Sequence, residues 1–487
     1  MGYKDLRSFI DYLEQKEQLN RVKVPVSPDL EMTEITDRIS KGSQERNKAL
    51  LFENPSGYDI PVLMNAFGSH DRMAWALGVD RLEALNERLS ALLDMRMPKG
   101  LAPALSRGGD LLGALMSAGV KPRKVRKAPV QEVVEKAKPS IDFLPILKCW
   151  PKDGGKFITL PQVITINPST GARNVGMYRL QVVDGQTLFV HWQRHKGGAE
   201  HERQAQSKKI NHIPAAIVLG GDPASMWCSS APLPPEIDEY LLAGYLNGEA
   251  VPFVDCVSQP LSVPANAEIV IEGYVDPNDH RPEGPFGDHT GYYTPVEPFP
   301  VFHVTAVTHR KDPIYPATVV GIPPMEDVWM GKATERIFLP LLRLFLPEIR
   351  DINMPAEGVF HNLVLVSLRK QYPGHARKVI SGLWGLGLLM LAKAVVVVDE
   401  WVDVQNLSIS AWQTFGNVDW NKDIMVMNGA VDHLDHASYA HSYGGKIGID
   451  ATAKWPEEGY SRTWPEPVSM LPEVKQRIDQ IWKDLGL

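Results

Sequence analysis

The sequence predicts a multidomain protein of α/β and β architecture, in which α/β regions at the two ends flank a β-rich centre. Three observations support this fold class: a length of 487 residues, an apolar content of 44%, and a change in hydrophobic periodicity along the chain. At roughly 100–200 residues per domain, about two to four domains are expected. The apolar content is sufficient for large cores, which excludes global disorder.

The N-terminal region, residues 1–115, alternates helical patterns with short apolar strands, as small α/β domains do. Two strands are predicted, Ala49–Phe52 and Val62–Met64. The first helix is predicted from four apolar residues that share one face: Leu6, Phe9, Ile10 and Leu13. Residues 116–128 are predicted to form an exposed linker, because they contain the basic, proline-containing run KPRKVRK.

The central region, residues 129–325, contains short β-branched segments bounded by glycine, proline or aspartate. Many such strands at modest spacing indicate a barrel or a sandwich. The predicted strands are Val163–Asn167, Val175–Val183, Thr187–Gln193, Ala215–Leu219, Glu268–Val275, His303–His309 and Tyr315–Val320.

Helices and apolar strands alternate again over residues 330–465, which predicts a second α/β domain. A last amphipathic helix is predicted within residues 466–487. The most apolar stretch, Val379–Val398, approaches the length of a membrane span but contains Lys393 and three glycines. A buried helix followed by a buried strand at 394–398 explains this composition better.

Composition narrows the classes of function. The net charge of −7 arises from 51 basic and 58 acidic residues mixed along the chain, so no basic face for nucleic acid is predicted. Three widely spaced cysteines match neither a disulfide framework nor a zinc site. The N-terminus lacks the basic and apolar blocks of a signal peptide. A cytoplasmic protein is therefore expected, with peripheral contact on the cytoplasmic face of the cell membrane as an alternative.

The segment EGPFGDHTGYY places two acids, Glu283 and Asp288, on a turn stiffened by glycines and a proline. Such a turn can bring two carboxylates to one cavity, where each raises the pKa of the other and one can serve as a general acid. A nearby arginine would oppose this rise. The alternative is a solvent-facing turn, which the aromatic pair Tyr292 and Tyr293 makes less favourable.

A hairpin around Asp184–Gly185 is the second candidate constellation. If these residues are the centre of the turn, Asn174 faces His195, and Tyr178 faces His191, on one side of the sheet. An amide oxygen and an imidazole in this arrangement can share a metal. A polar pair on a solvated sheet is the alternative, and the residues alone favour it.

In the same hairpin, Arg179 is an odd number of residues from Asn174, so its side chain points to the other face of the strand unless a bulge near Gly176 intervenes.

A third constellation is a helix predicted to begin at Pro234 and to carry three acids in its first turn: Glu236, Asp238 and Glu239. Such acids complement the helix dipole, and one of them can be an oxygen ligand for a divalent ion.

Taken together, these residues make the chain similar to the UbiD family of reversible decarboxylases. Six segments carry the resemblance, which extends over nearly the whole chain: LLFENPSGY (50–58), NVGMYR (174–179), HWQRHKGG (191–198), EIVIEGYVDP (268–277), EGPFGDHTGYY (283–293) and GIDATAKWP (448–456). The resemblance implies a central split β-barrel that binds flavin and a C-terminal domain that mediates oligomerisation, as a dimer or a hexamer.

The resemblance also implies prenylated FMN as cofactor, a manganese-type divalent ion on its phosphate, and potassium nearby. Asn174 and Glu239 match the metal ligands of the family; His195 is a third candidate, with His191 as its alternative. The segments that match the cofactor-binding positions comprise Met177, Tyr178, Arg179, His191, Trp192, Gln193, Lys196 and Gly197.

For catalysis, the resemblance implies that Asp288 donates a proton and that Glu283 and Arg179 complete an acid–arginine–acid network. The implied substrate is 4-hydroxy-3-polyprenylbenzoate of ubiquinone biosynthesis, and the implied partner is a flavin prenyltransferase that makes the cofactor. Another aromatic acid, from the menaquinone pathway or a simple phenolic acid, is the alternative substrate. From other classes of protein, a non-catalytic flavin-binding assembly factor and a metal hydrolase are the alternatives.

Overall fold

Helices and mixed sheets, with both parallel and antiparallel strand pairs, lie at the two ends of the chain, and a large antiparallel sheet lies between them. The structure is a computed structural model, and it describes residues 2–96, 120–234 and 237–485. The predicted order of α/β, β and α/β regions is confirmed at this level. Residues 97–115 of the predicted N-terminal domain and 116–119 of the predicted linker lie outside the described residues.

The N-terminal helices are Leu6–Gln15, Glu31–Ser40, His70–Ala76 and Glu83–Arg96. The first begins because the Asp5 carboxylate accepts a hydrogen bond from the backbone N–H of Ser8 at 3.0 Å. Its predicted apolar face is confirmed, since all four residues of that face are buried. Burial of this face against the neighbouring sheet, more than helix propensity, stabilises so short a helix.

The N-terminal sheet has four strands in the order Leu19–Val22, Ala49–Phe52, Val62–Met64 and Tyr315–Pro316. The second and third have the predicted bounds. The fourth strand was predicted as part of the central region, but it pairs in parallel with Val62–Leu63. The chain therefore returns from the centre to complete the N-terminal sheet, which ties the two regions together.

The central sheet has nine strands. Eight of them follow the order Phe157–Ile158, Leu180–Asp184, Thr187–Val190, Glu297–His309, Ile269–Glu283, Ile213–Leu219, Gln162–Ile166 and Arg173–Gly176, and Val133–Glu135 pairs with Glu297–His309. Within the described part of the chain, the first and last strands of this order do not pair with each other. The sheet is open there, so no closed barrel is found and the split β-barrel that the resemblance implies is not confirmed.

The predicted strand Val175–Val183 is wrong, because the chain leaves the sheet at Met177–Arg179. Its first part, Arg173–Gly176, pairs with Gln162–Ile166 and places Asn174 opposite Thr165. Its second part, Leu180–Asp184, forms the hairpin and lies at the far end of the sheet order.

Three helices and smaller sheets surround the central sheet. The helices are Gly197–Ser207, Pro223–Cys228 and Glu239–Asn247, and the small strands are Arg123–Lys124, Pro252–Asp255, Ser262–Pro264, Phe286–Gly287 and Tyr293–Thr294. The predicted linker is exposed where it is described, but Arg123–Lys124 pairs in parallel with Pro252–Phe253. It is thus the edge strand of a sheet and not a free connector.

The C-terminal region begins with the long helix Glu326–Phe345 and contains a five-stranded sheet. The strand order is Ile349–Asn353, Leu363–Leu368, Ala394–Asp399, Tyr443–Asp450 and Ile424–Ala430. The remaining helices are His375–Trp384, Leu407–Asn417 and Pro472–Ile481. The apolar stretch 379–398 is confirmed as a helix and a buried strand. No helix in the described ranges is long and apolar enough to cross a bilayer.

A buried ion-pair cluster joins the first helix to the central sheet. Glu268 is fully buried and accepts hydrogen bonds from Arg7 at 3.1 and 3.2 Å and from the backbone N–H of Ile314 at 3.0 Å. The guanidinium of Arg310 lies 3.3 Å from the same carboxylate and 3.1 Å from Asp5. One carboxylate thus satisfies two cations from two regions of the chain.

Replacement of Glu268 by alanine is expected to destabilise the protein by roughly 3 kcal/mol, because the buried Arg310 loses one of its two carboxylate partners. Urea unfolding, followed by tryptophan fluorescence, measures this loss. The matched control is Glu14→Ala, which removes a carboxylate from an exposed pair with Arg21 and should change the midpoint little. Equal losses in the two variants would contradict the prediction.

Candidate active site

The first part of the loop EGPFGDHTGYY turns inward, whereas Tyr292 and Tyr293 at its end are exposed, so the expectation drawn from this aromatic pair is wrong. Glu283 ends the strand Ile269–Glu283 and is 0% exposed, and Asp288 is 7% exposed. Two glycines make this path possible. Gly284 has a φ of +98°, which side chains rarely adopt, and a Cβ on Gly287 would lie 2.2 Å from Cδ1 of Trp150. The two acids therefore lie in the interior, as the paired-acid interpretation predicts.

Arg179 lies between the two acids. Its Nε and Nη2 donate to the two carboxylate oxygens of Glu283 at 2.8 and 3.0 Å, and its Nη1 donates to Asp288 Oδ2. Nη2 also donates to the Thr294 hydroxyl at 3.1 Å, and the guanidinium lies 4.7 Å from the ring centroid of Phe286. The interruption of the strand at Met177–Arg179 gives the side chain this direction, which an undistorted strand would not.

The prediction that the paired carboxylates raise each other's pKa is wrong. Burial alone would raise the pKa of Glu283, but the hydrogen bond from His191 and the charge of Arg179 lower it to about 2. Burial is likewise outweighed at Asp288, where the hydrogen bond and charge of His289 and the charge of Arg179 hold the pKa below its usual range. Both acids are anions at neutral pH, so Asp288 needs a proton before it can donate one.

His191 contacts the network from its other side. Its Nδ1 lies 3.2 Å from Glu283 Oε2, and its ring packs against Phe299 with 4.1 Å between centroids. Burial and the charge of Arg179 lower the pKa of His191, which favours the neutral ring. Its Nε2 is buried and, within the described residues, has no hydrogen-bond partner. The same holds for Nε1 of Trp192.

A second group of candidate residues surrounds the start of the helix Gly197–Ser207. The Tyr178 hydroxyl accepts hydrogen bonds from Asn174 Nδ2 at 3.3 Å and from the backbone N–H of Gly198 at 3.1 Å. A Cβ on Gly197 would lie 1.9 Å from Asn174 Oδ1, so only glycine allows this approach. Burial lowers the pKa of Lys196, the residue before this helix. The backbone N–H donors at the N-terminus of this helix thus lie close to the side-chain oxygen of Asn174.

Glu239 lies beside this group. It is the first residue of the helix Glu239–Asn247, and its Oε2 accepts a hydrogen bond from the backbone N–H of Val175 at 2.9 Å. Burial raises the pKa of Glu239 to about 8. The helix begins at residue 239 and not at the predicted Pro234, and Glu236 lies outside the described residues.

The hairpin register predicted for the metal pair is wrong. Val182 pairs with Leu188, and the ladder ends at Leu180 opposite Val190, so it never reaches Asn174 or His195. His195 is exposed in the segment before the helix Gly197–Ser207. Asp184 pairs with Thr187, so the turn is centred on Gly185 and Gln186 and not on the predicted pair, and the register shifts again between Thr187 and Leu188.

The remaining cofactor-binding candidates lie near these groups. The backbone N–H of Met177 donates to the carbonyl oxygen of Ser229 at 2.8 Å, and Gln193 is half-buried and accepts a backbone hydrogen bond from Lys196 at 3.0 Å. The structure thus gathers the candidates into two neighbouring sets, the acid network at Arg179 and the helix N-terminus at Asn174. His195 contacts neither.

Several residues of this region escaped the sequence reasoning. His289 touches Asp288 and contacts His361 of the C-terminal region, and Glu297 contacts His433 at 3.1 Å. His441, 55% exposed, lies 3.9 Å from the same carboxylate. Only His289 had a signal in the sequence, its position beside Asp288. The others come from distant segments, and no spacing connects them.

Comparison with known proteins identifies the family. Three models of 3-octaprenyl-4-hydroxybenzoate carboxy-lyase match: its N-terminal domain over residues 10–92, its Rift-related domain over 123–323 and its C-terminal domain over 328–451. An uncharacterized protein of Archaeoglobus fulgidus is 53% identical over 486 residues, covering 100% of this chain and 99% of the relative.

Solved structures agree with this assignment. The vanillic acid decarboxylase of Sedimentibacter hydroxybenzoicus in closed form is 27% identical, with a TM-score of 0.87 over 99% of this chain and 100% of that chain. The UbiD-class enzyme HmfF of Pelotomaculum thermopropionicum, in complex with FMN, is 27% identical, with a TM-score of 0.80 over 97% and 98%. The chain belongs to the UbiD family, and the predicted enzyme class, a decarboxylase, is confirmed.

Replacement of Glu283 by glutamine is expected to remove roughly 3 kcal/mol of stability at pH 7. The pKa of this group falls from 4.5 to about 2 on folding, and each unit corresponds to about 1.4 kcal/mol. Because the folded pKa is lowered, this stability is present above pH 4.5 and is lost as the pH falls towards 2. Urea unfolding at several pH values measures it.

The control for this prediction is Glu297→Gln, which changes the cross-strand neighbour of Glu283 outside the arginine network. This variant should keep the wild-type dependence on pH between 4.5 and 2. If the stability of Glu283→Gln fell between pH 4.5 and 2 as much as that of the wild type, the assignment of a negative charge to Glu283 would be contradicted.

Proposed function

We propose that the protein catalyses the non-oxidative decarboxylation of an aromatic acid with prenylated FMN as cofactor. The observation that carries the proposal is the buried network in which Arg179 joins Glu283 to Asp288. Three charged groups in an interior position cost folding energy, and such groups are common where an enzyme moves protons. Membership of the family and the resemblance to an FMN complex support the cofactor.

The donor set fits a flavin nucleotide and its phosphate. Trp192 Nε1 and His191 Nε2 are buried without partners in the described structure, and polar atoms in that situation usually meet a ligand or water. The N-terminus of the helix Gly197–Ser207 offers backbone N–H groups to an anion, and the buried ammonium of Lys196 lies directly before it. We propose that these residues hold the cofactor, with Met177, Tyr178, Arg179 and Gln193 beside them.

Asn174 and Glu239 fit a hard divalent cation such as manganese, which takes amide and carboxylate oxygens. Asn174 lies at the helix N-terminus where we propose the phosphate, and Glu239 accepts a hydrogen bond from the next residue, Val175. A cation held by these two residues would offset the repulsion between the carboxylate and a phosphate. For a third ligand, the geometry favours His191 over the exposed His195, because His191 has an unpartnered buried nitrogen. Potassium is a further candidate ion by family resemblance.

Prenylated FMN supplies a ring system that accepts the electrons released when the carbon–carboxylate bond breaks. The protein's own residues then handle the proton. Arg179 fixes the positions of both acids. Its positive charge favours the ionised form of Asp288, and the negative charge of Glu283 offsets part of this effect. Asp288 gives a proton to the ring carbon from which CO2 has left. The buried surroundings keep water away from this carbon.

The first candidate substrate is 4-hydroxy-3-polyprenylbenzoate, converted to 2-polyprenylphenol in ubiquinone biosynthesis; the description of the family models supports it. Another aromatic acid, such as a menaquinone-pathway intermediate or a simple phenolic acid, is equally consistent with the site, and the vanillic acid decarboxylase supports that alternative. We propose three further points: a flavin prenyltransferase supplies the cofactor, the protein forms a homo-oligomer, and it contacts the membrane peripherally.

Protein co-produced with a flavin prenyltransferase is expected to carry a flavin of prenylated mass and to release CO2 from at least one aromatic acid. The measurement pairs absorbance and intact cofactor mass with CO2 release from prenylated and unprenylated 4-hydroxybenzoate, vanillate and 3,4-dihydroxybenzoate. Asp288→Asn should lower kcat by about 100-fold or more, because general acid catalysis contributes at least this factor.

The control is Asp279→Asn, an exposed acid paired with Arg281, which should keep wild-type turnover. Turnover of only unprenylated acids would reject the ubiquinone substrate. Activity without flavin would overturn the cofactor assignment, and full activity in Asp288→Asn would reject the proton donor.

Glu239→Gln is expected to reduce the affinity for flavin phosphate, because the neutral amide binds a divalent ion more weakly than a carboxylate does. Equilibrium dialysis of the flavin-free protein with FMN, with and without manganese, measures this affinity. Manganese should tighten FMN binding to the wild type by at least about tenfold, a typical coupling between two ligands, and should have little effect on the variant. Asp238→Asn is the neighbouring control. Equal responses to manganese in wild type and Glu239→Gln would contradict the assignment.

A further inference from the structure

A continuous chain of hydrogen bonds leads away from Asp288 into the C-terminal region. Nδ1 of His289 lies 2.8 Å from Asp288 Oδ1, and Nε2 of His289 lies 2.9 Å from Nε2 of His361. The backbone N–H of His289 donates to the same Asp288 oxygen at 2.7 Å, which fixes the carboxylate beside the ring. The His289 ring thus connects Asp288 to His361, which lies 72 positions after His289 in the chain.

The backbone before His361 is strained. Val359 and Phe360 both adopt the left-handed region, with φ of +52° and +42°, although neither is glycine. Such residues persist only where surrounding structure holds them, and they concentrate at functional sites. The Phe360 ring lies 5.5 Å from the His289 ring, so the strained turn presents both Phe360 and His361 to the acid loop.

His361 also lines a small cavity whose walls include several polar residues. Its Nδ1 is buried and has no hydrogen-bond partner in the described part of the chain. This ring lines a cavity of about 40 Å³, which exceeds the roughly 10–15 Å³ that one water needs. Polar residues supply most of the other walls: Thr290, Asn362, Asp432, Asp435 and His436. The polar side chains among these walls are the type of partner that a buried water requires.

The reaction needs such a connection. Decarboxylation replaces a carbon–carboxylate bond by a carbon–hydrogen bond, so each turnover consumes one proton. Arg179 and His289 keep Asp288 ionised at rest, and the buried acid must be reloaded after each donation. We propose that His289 and His361 form a proton relay that carries a proton from the cavity between the central and C-terminal regions to Asp288. This inference rests on the proposed function.

The proton count of the relay balances. The relay operates in the form in which both rings are neutral and each carries one proton: His289 on Nδ1, donating to Asp288, and His361 on Nε2, donating to His289. A proton from cavity water binds Nδ1 of His361. The Nε2 proton of His361 then moves to Nε2 of His289, and the Nδ1 proton of His289 moves to Asp288. Both rings end neutral with their protons exchanged between nitrogens, and exchange with water after product release restores the starting tautomers.

The charges around the rings suit this role. The groups that act on them are Asp288, Asp327, Asp432 and Lys196. Burial opposes protonation of both rings, but the Asp288 hydrogen bond raises the pKa of His289, whereas burial and the charge of His289 lower that of His361 to about 4. A proton is therefore held only briefly on the outer ring and passes towards the acid.

The relay is tested with His361→Gln in the flavin-loaded enzyme, on an acid that the wild type decarboxylates. We expect kcat to fall by at least about tenfold with KM unchanged, because a positioned proton donor contributes about 100-fold or more and water in the vacated space replaces part of it. The solvent deuterium isotope effect on kcat should rise, and added imidazole should restore part of the rate.

The matched control is His441→Gln, which removes another histidine that contacts the central region, at Glu297, but leaves the relay intact. Its isotope effect should equal that of the wild type. A wild-type kcat and isotope effect in His361→Gln would overturn the relay while leaving the proposed function in place. Absence of turnover in the loaded wild type on every acid would instead reject the proposed function.

A second measurement needs no turnover. In flavin-free protein labelled with ¹⁵N in the histidine rings, the bond between His289 and His361 should give one slowly exchanging imidazole proton. That signal should disappear in both His289→Gln and His361→Gln and persist in His441→Gln. Its presence in His361→Gln, in a protein with wild-type thermal stability, would overturn the relay even if the rate falls.

Discussion

The bridge that Arg179 forms between Glu283 and Asp288 is the interaction on which the site depends. Two buried carboxylates close together would repel each other, and they could not both stay ionised without a cation between them. The guanidinium supplies that cation with a planar fork of donors, which binds Glu283 through two nitrogens and leaves a third for Asp288. A lysine, with a single nitrogen, could not hold both acids in fixed positions.

This bridge constrains the surrounding backbone. The strand must break at Met177–Arg179 to direct the guanidinium inward, and the acid loop must pass close to Trp150, which only Gly287 allows. Buried charges also need further partners, which His191 provides to Glu283 and His289 provides to Asp288. The network therefore extends in two directions, towards the polar atoms proposed to hold the cofactor and towards the C-terminal region.

The arrangement separates two tasks that a single carboxylic acid cannot combine. An acid with a permanently raised pKa would be a ready donor but would lack the fixed geometry that ionic hydrogen bonds give. An ionised Asp288 is well positioned but must be loaded with a proton, and the imidazole beside it is the group suited to this at neutral pH. The contact of His289 with His361 makes loading depend on the two regions being together.

Short-range sequence patterns determined several elements of this protein and the position of its paired acids. Apolar spacing predicted the first helix and the strands at 49–52 and 62–64, and glycines flanking Glu283 and Asp288 predicted a shared cavity. Sequence reasoning failed at the strand break after Gly176 and, separately, at the hairpin, where a register set by two turn residues could not anticipate the shift between Thr187 and Leu188. It failed also on the pKa of both acids, because that depends on which cation arrives between them.

Only the tertiary structure decided the contacts between distant segments. His361 reaches His289 across 72 residues, and Tyr315–Pro316 returns to the N-terminal sheet, although no periodicity links these positions. The physical reason is the range of the signals. Hydrophobic period and turn chemistry act over a few residues, whereas ion pairs, proton paths and buried charge depend on how whole sheets pack. The sequence therefore determined the types of element and the acids, and packing determined the state of their protons.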